Sequence, residues 1–368
     1  MAVPGSFLHR FFHAAIADLE RDLDRIEDGL QLGEGHSQQV RLLAYAGYRN
    51  TSLVRVKGRV VRYRKPLDAR EGTLSRLRAM MEIYNSHELP GIQVEFEGYG
   101  QRLAAATDEE GYVTFEVPIS DPLPETTQWE HVLLSTPGRG DRQDCAKVPI
   151  IAPGADHNWG IISDIDDTVI ETGATDFLKN WRRVLIERPQ DRLAVPGASK
   201  LYKTIAGDNA APARPFFYVS SSPWNLYGFI TEFMDLNGIP HGPMFLKDYG
   251  IDSNKLINTG HEEHKLKAIE EVLSFYPESR FLMIGDNGQR DVTIYADAVG
   301  KFGERVAGVF IRDVDGSCRS GVEGDLLSKI EAAGVPTFCG SNFEEAVEIV
   351  KSLDLEQPLQ AAKAIFPK

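Results

Sequence analysis

The sequence predicts an α/β protein: a doubly wound parallel sheet, preceded by a small β-sandwich domain and an N-terminal helix. Three observations predict it. Beyond residue 155, short apolar runs alternate with helical segments, and continuous apolar strands separated by helices belong to parallel sheets covered on both faces. Between 52 and 150, apolar and polar residues alternate as on half-buried strands. Ahead of both, Phe7, Phe11, Phe12, Ile16, Leu19, Leu23, Ile26 and Leu30 recur at helical spacing. The resulting organisation is a helix within 1–40, a β-rich domain over 41–154, an α/β domain over 155–352 and a tail over 353–368.

The helix spans 6–31, with acidic and basic residues between its apolar positions. Such a face packs on the protein body or lies on a membrane, and its acidic polar side argues for the body. In the β-rich region the alternating stretches are SLVRVKGRVVRYR, GIQVEFEGYG and GYVTFEVPI, with a helical stretch at 72–86 between the first two. Short strands joined by Gly, Asp and Pro turns suggest a small sandwich. In the α/β domain the strands are WGIISDID, RPFFYVSSS, RFLMIGDN and VAGVFIRDV, and the helices 196–207, 225–236, 262–275 and 289–299. Ligands of such sheets bind at the carboxyl ends of the strands, where three of the four carry Asp164, Ser220 and Asp286.

Composition narrows the class. The 368 residues are 42% hydrophobic and 26% charged, enough for a core without staples. A net charge of −14 excludes a general nucleic-acid binder. It leaves anionic substrates open, because a bound cation can dominate a pocket. Cys145, Cys318 and Cys339 are far apart and form no CxxC pair, so a reducing cytosol and no disulfide framework are expected. No apolar run reaches the ~20 residues that span a bilayer, and the start becomes charged too soon for a signal peptide. A cytoplasmic protein, with peripheral membrane contact open, is expected. The sequence leaves the oligomeric state undetermined.

Four elements carry chemistry. In WGIISDIDDTV, four apolar residues precede Asp164, Asp166, Asp167 and Thr168. Positions i and i+2 of a strand share a side, so Asp164 and Asp166 would share a pocket. Their repulsion calls for Mg²⁺, which prefers hard oxygen ligands. One carboxylate can then attack phosphorus while the other handles protons. The run is not a calcium loop, since Val169 and Thr175 replace the required Gly and Glu. In FFYVSSSPWNLY, Ser220, Ser221 and Ser222 lead into a helix, as phosphate cradles do and as simple N-caps do. In HEEHKLKAIEEVL, Lys265 could sit over a phosphate, with Lys267 as competitor. In FLMIGDNGQRD, Asp286 would ligate the metal, and Asp291 would stand behind it or act through water. Each element alone has a bland alternative: an acidic turn, an N-cap or a solvated lysine. Their order, each at a strand's carboxyl end or the helix after it, favours chemistry.

The run DIDDTV, YVSSSPWNLY, HK and IGDNGQRDVTIY resembles the haloacid dehalogenase superfamily of phosphatases. More narrowly, it resembles the catalytic domain of the actin patch protein type of phosphatidate phosphatase, a relative of the lipins, over roughly 155–320. The resemblance implies that Asp164 forms an aspartyl-phosphate while Asp166 protonates the leaving group and then activates water. It implies Mg²⁺ held by Asp164, the Asp166 carbonyl and Asp286, with Thr168 restraining the motif and Ser220 and Lys265 holding phosphoryl oxygens; Ser221 competes with Ser220 for that contact. The implied reaction is phosphatidate to diacylglycerol and phosphate. A soluble phosphomonoester, a phosphoprotein, or a non-catalytic membrane or protein adaptor are the alternatives. Between Thr168 and Phe216, the basic residues Lys179, Arg182, Arg183 and Arg188 lie with Phe177, Leu178, Trp181, Val184 and Leu185 on one helical stretch. That stretch could dock on anionic lipid or pack on the sheet.

Overall fold

The computed structural model describes residues 39–63, 89–137, 144–155, 158–170, 194–207, 211–247 and 261–353. The expected helices at 6–31 and 72–86, the basic stretch at 177–188 and nearly all of the tail lie outside them.

The first part is β1 (Gln39–Ala44), β2 (Gly47–Arg49), β3 (Leu53–Tyr63), β4 (Gln93–Gly98), β5 (Gln101–Ala106), β6 (Tyr112–Pro118), β7 (Gln128–Ser135) and β8 (Cys145–Ala152). These eight strands form one sheet, in the order β1-β3-β2-β8-β7-β4-β5, with β6 also paired to β3. Only β2 and β8 run parallel. The alternation in the sequence becomes burial: Val54, Val56, Val94, Phe96, Val113, Phe115, Val132, Leu134, Val148 and Ile150 share one core. Phe96 of β4 and Phe115 of β6 are far apart along the sheet, yet their rings lie 5.5 Å apart. The sheet therefore folds over onto itself. The two layers around this core stay joined in one hydrogen-bonded sheet, because β3 is long enough to pair with three strands.

The second part follows as β9 (Trp159–Ser163), α1 (Ala198–Ala206), β10 (Phe216–Pro223), a 3-10 turn at Trp224–Leu226, α2 (Tyr227–Asn237), β11 (Met244–Lys247), α3 (His261–Phe275), β12 (Arg280–Asp286), α4 (Asp291–Phe302), β13 (Val306–Arg312), α5 (Gly321–Ala332), β14 (Thr337–Gly340) and α6 (Ala346–Ser352). The short strands β11 and β14 and the helices α5 and α6 were not among the sequence expectations. All strand pairs of this sheet are parallel, in the order β11-β10-β9-β12-β13-β14. Alternate strand residues face opposite ways. Ile161, Tyr218, Leu282 and Phe310 pack with Tyr202, Phe233 and Val347 from α1, α2 and α6. Ile162, Phe217, Met283 and Val309 pack with Val272, Ile294 and Leu327 from α3, α4 and α5. Both faces are thus covered, which is why these strands read as unbroken apolar runs. Fully burying each such side chain contributes about 1.5–3 kcal/mol.

The two parts pack together through β2. Tyr48 lies edge-on to Phe275 and Phe217, and its hydroxyl donates to Glu271 at 2.6 Å. The Tyr276 hydroxyl donates to the Arg49 carbonyl. Cys318 and Cys339 form a disulfide, with Cα atoms 6.6 Å apart. This corrects the expectation of unpaired thiols. Their 21-residue separation hides that the loop after β13 returns to its sheet neighbour β14. Among the described residues no helix is long and apolar enough to cross a membrane.

Candidate active site

Chain order along the sheet moves outward from β9 to β11 on one side, then restarts beside β9 and moves outward from β12 to β14 on the other. The crevice between β9 and β12 is therefore the switch point where such sheets bind ligands. The neighbours β10, β9 and β12 carry the Ser220, Asp164 and Asp286 motifs. Register sets Ser163 beside Ile284 and Tyr218, so the residues that follow emerge side by side.

β9 stops at Ser163, one residue short of Asp164. Strand pleating consequently does not bring Asp164 and Asp166 together, as the sequence suggested. A tight turn does. Asp167 has φ of 56°, a left-handed conformation uncommon outside glycine. Its N–H donates to the Ile170 carbonyl, and the Val169 N–H donates to the Ile165 carbonyl. Arg312, at the end of β13, donates to the Asp167 carbonyl at 2.7 Å. Arg312 was missed, although it ends β13 as Asp286 ends β12.

Lys265 sits in the first turns of α3. Its Nζ lies 2.8 Å from Asp164 Oδ1 and 2.7 Å from Asp291 Oδ1. Lys267, the competing candidate, pairs at the surface with Glu263. Thr168 Oγ1 lies 3.2 Å from Asp164 Oδ2 and 3.4 Å from Asp286 Oδ2, joining the two motifs. Asp286 Oδ1 accepts the N–H groups of Gly288 and Asn287's second neighbour Gln289, at 2.6 and 3.1 Å. Asp291, expected as an outer or water-mediated partner, lies close to both expected ligands: Asp164, Asp286 and Asp291 each bring a carboxylate oxygen within 4.8 Å of the others. Asp291 is the first residue of α4, where the helix dipole favours its charge. Gly285 permits this approach, since a Cβ there would lie 2.5 Å from Asp291 Oδ2 and 2.8 Å from the Tyr295 hydroxyl.

The Asp166 carboxylate faces away from that trio, toward the serines. Ser220 Oγ donates to its Oδ2 at 2.6 Å and Ser222 Oγ at 2.9 Å. The Ser222 N–H in turn donates to Ser220 Oγ. Ser220 is wholly buried and engaged with Asp166, while Ser221 is half-buried on the same loop. Ser222, whose role the triple serine concealed, is the second holder of Asp166.

The electrostatics follow from burial. Asp164 is held well above the ordinary carboxyl range by burial, against the pull of Lys265 and reinforced by Asp291, Asp286 and Asp166. Asp286 is pushed up to about 7 by burial and by Asp291, with Lys265 opposing. Burial also raises Asp166, partly offset by the Ser220 and Ser222 donors. For Lys265 burial opposes the charge, but Asp164, Asp291 and Asp286 outweigh it and its pKa is raised. Three buried carboxylates and one ammonium leave an excess of two negative charges when all are ionised. This all-oxygen donor set fits a hard divalent cation.

Comparison with known proteins finds relatives of the region that carries the site. Residues 159–313 match the family model described as "Phosphatidate phosphatase APP1, catalytic domain". The chain is 30% identical to phosphatidate phosphatase APP1 of Saccharomyces cerevisiae over 183 residues, 50% of this chain and 30% of that protein. It is 27% identical to an uncharacterized protein of Schizosaccharomyces pombe over 215 residues, 57% of this chain and 34% of that protein. The chain thus spans about a third of the length of the curated relatives it matches. A carbohydrate acetylesterase from Xanthomonas citri aligns over 87% of this chain and 74% of its own, at a TM-score of 0.36 and 9% identity, a likeness too slight to carry an argument. Asp164, Ser220, Lys265, Asp286 and Asp291 all fall in the matched region, and residues 159–313 resemble an APP1-like phosphatidate phosphatase catalytic domain.

Proposed function

We propose that this chain is a Mg²⁺-dependent phosphomonoester hydrolase working through an aspartyl-phosphate on Asp164, with phosphatidate as substrate. The observation that carries the reading is the buried group of Asp164, Asp286 and Asp291 around Lys265. The six-stranded parallel sheet, with Asp164 directly after a central strand, supports a haloacid dehalogenase-like fold for this domain. The substrate is taken from the name of the yeast relative.

Asp164, Asp286, Asp291 and the Asp166 carbonyl would hold the ion. When bound, it offsets the charge on the phosphoryl oxygens. Asp164 attacks phosphorus, and the bond from phosphorus to the alkoxide oxygen breaks. Asp166, raised by burial and thus able to carry a proton, donates it to that oxygen. The Asp166 carboxylate then takes a proton from water as the water oxygen bonds to phosphorus. The acyl-phosphate bond breaks, phosphate leaves and the Asp164 carboxylate is restored. Lys265, beside Asp164, offsets negative charge on the transferring group.

The test is phosphate release by the purified protein with Mg²⁺, from phosphatidate in mixed micelles and from soluble phosphomonoesters, with Asp164→Asn as the blank. Release from phosphatidate that the variant lacks is the expected result. Release from soluble esters alone removes the lipid and keeps the chemistry. Equal release by Asp164→Asn overturns the mechanism, because an amide is no nucleophile.

A further inference from the structure

The serine run that holds Asp166 is weakly tied to its own sheet. β10 pairs with β9 only as far as Tyr218. Its pairing with β11 jumps from Val219↔Phe245 to Pro223↔Lys247, four residues against two. Ser220, Ser221 and Ser222 therefore bulge out of the ladder, and a bulge leaves backbone without cross-strand support. Yet Ser220 and Ser222 must stay within 2.6 and 2.9 Å of Asp166.

Support comes from the other domain, at the residues just after the bulge. Arg59 Nη1 donates to Asn225 Oδ1 at 2.5 Å, while its Nε donates to the Glu110 carbonyl at 3.0 Å. Its guanidinium lies 4.6 Å from the Tyr112 ring centroid. Lys57 Nζ sits 4.0 Å from the Tyr112 ring and 4.6 Å from the Trp224 ring, bridging the two domains. Tyr45 packs on Trp224 and Tyr227, and the Tyr227 hydroxyl accepts the Ala46 N–H. The mount is rigid, because Arg59 lies mid-strand in β3, paired with Leu43 on one side and Tyr112 on the other. A planar guanidinium with several fixed donors joins two such hydrogen-bond acceptors in one geometry, which an ammonium on a flexible stem holds less firmly.

We infer that the folded-over β-sheet domain is a working half of the active site: Arg59, through Asn225, positions the Ser220–Ser222 bulge and hence the Asp166 carboxylate. The inference rests on the phosphatase reading for its consequence in catalysis, and it extends the functional unit beyond residues 159–313, the region the family model covers. Arg59 and Asn225 are positioning residues acting through the serines. Their loss misplaces a proton donor without removing it.

The experiment uses the full chain as wild type, Arg59→Ala, Arg59→Lys, Asn225→Ala and the Arg59→Ala/Asn225→Ala double variant. Backbone hydrogen exchange is followed over 219–227, and hydrolysis of p-nitrophenyl phosphate is measured with Mg²⁺. In Arg59→Ala, exchange over 220–226 is expected to quicken while β12 keeps its protection. kcat should fall by about ten- to a hundredfold with KM little changed, the scale of a small misplacement. Arg59→Lys should recover only part of this. Adding Asn225→Ala to Arg59→Ala should cost nothing more, since both act through one link. Unchanged exchange over 220–226, or effects on log kcat that simply add, overturns the inference. A wild type that releases phosphate neither from p-nitrophenyl phosphate nor from phosphatidate micelles overturns the phosphatase reading instead, and the exchange data still decide the brace. If Arg59→Ala does not fold, Asn225→Ala breaks the same link from the catalytic side and is read in the same way.

Discussion

Replacing Lys265 with Met tests the electrostatic core of the site. Lys265 is 2% exposed and lies 2.8 and 2.7 Å from Asp164 and Asp291, which are 1% and 0% exposed. At 2.8 Å and an effective dielectric of about 20, each contact has a Coulomb energy of roughly 6 kcal/mol. Desolvation of the ions offsets much of this, and removing one partner of a buried pair costs about 3–5 kcal/mol net. For 368 residues, at about 2.1 cal/mol/K of unfolding entropy per residue, that lowers Tm by roughly 4–7 °C. The sign with pH is set by the carboxylates left behind. Asp164 and Asp286 already have folded pKa values above their unfolded ones, so their contribution to stability is present at low pH and lost as pH rises through the folded values. Without Lys265 those values rise further, so the deficit of the variant should be larger at pH 8 than at pH 5. The assay is thermal and urea melting of metal-free wild type and Lys265→Met at both pH values, with and without Mg²⁺. Mg²⁺ should restore more stability at pH 8, where the carboxylates are ionised. Equal stability of the two proteins at pH 8, or a deficit that does not change with pH, would refute the reasoning.

Other perturbations probe single contacts. Gly285→Ala places a Cβ 2.5 Å from Asp291 Oδ2; it should cost about 1–3 kcal/mol of stability and weaken Mg²⁺ binding, as seen by urea melting and by titration calorimetry. Because Asp286 is pushed up to about 7 in the metal-free protein, Mg²⁺ binding should release a proton and weaken by up to about tenfold per pH unit below that value; calorimetry in buffers of different ionisation enthalpy counts the proton. Ser222→Ala removes one donor from Asp166, whereas Ser220→Ala removes a donor and also the acceptor of the Ser222 N–H. Ser220→Ala should therefore lower kcat more, and the order would be reversed if Ser222 were the main holder of Asp166.

Asp164, Ser220, Lys265 and Asp286 were legible because sequence reports strand ends and the helices after them. An apolar run fully buried on both faces gives way to polar residues where the strand leaves the core, and parallel sheets gather those ends along one edge. Two of the carboxylates expected there, Asp164 and Asp286, do lie close together inside the fold, with Asp291 beside them. Less was legible wherever the argument needed geometry across the chain. Asp164 and Asp166 looked like two positions of one strand pleat, but a turn at the left-handed Asp167, held by hydrogen bonds from Arg312 and to Ile170, gives their carboxylates different partners. Asp291 looked like an outer partner and joins the inner group, because the absent side chain of Gly285 admits it.

What the sequence alone determined is the class of fold, the order of the four motifs and the residue types of the site, all of which depend on local periodicity and on spacing along the chain. Only the tertiary structure decided which atoms meet: Ser222 with Asp166, Cys318 with Cys339, Arg59 with Asn225. The Arg59 and Asn225 contact joins residues 166 positions apart on different domains. Periodicity carries no information about such pairs, since what brings them together is the burial of two separate apolar surfaces against each other.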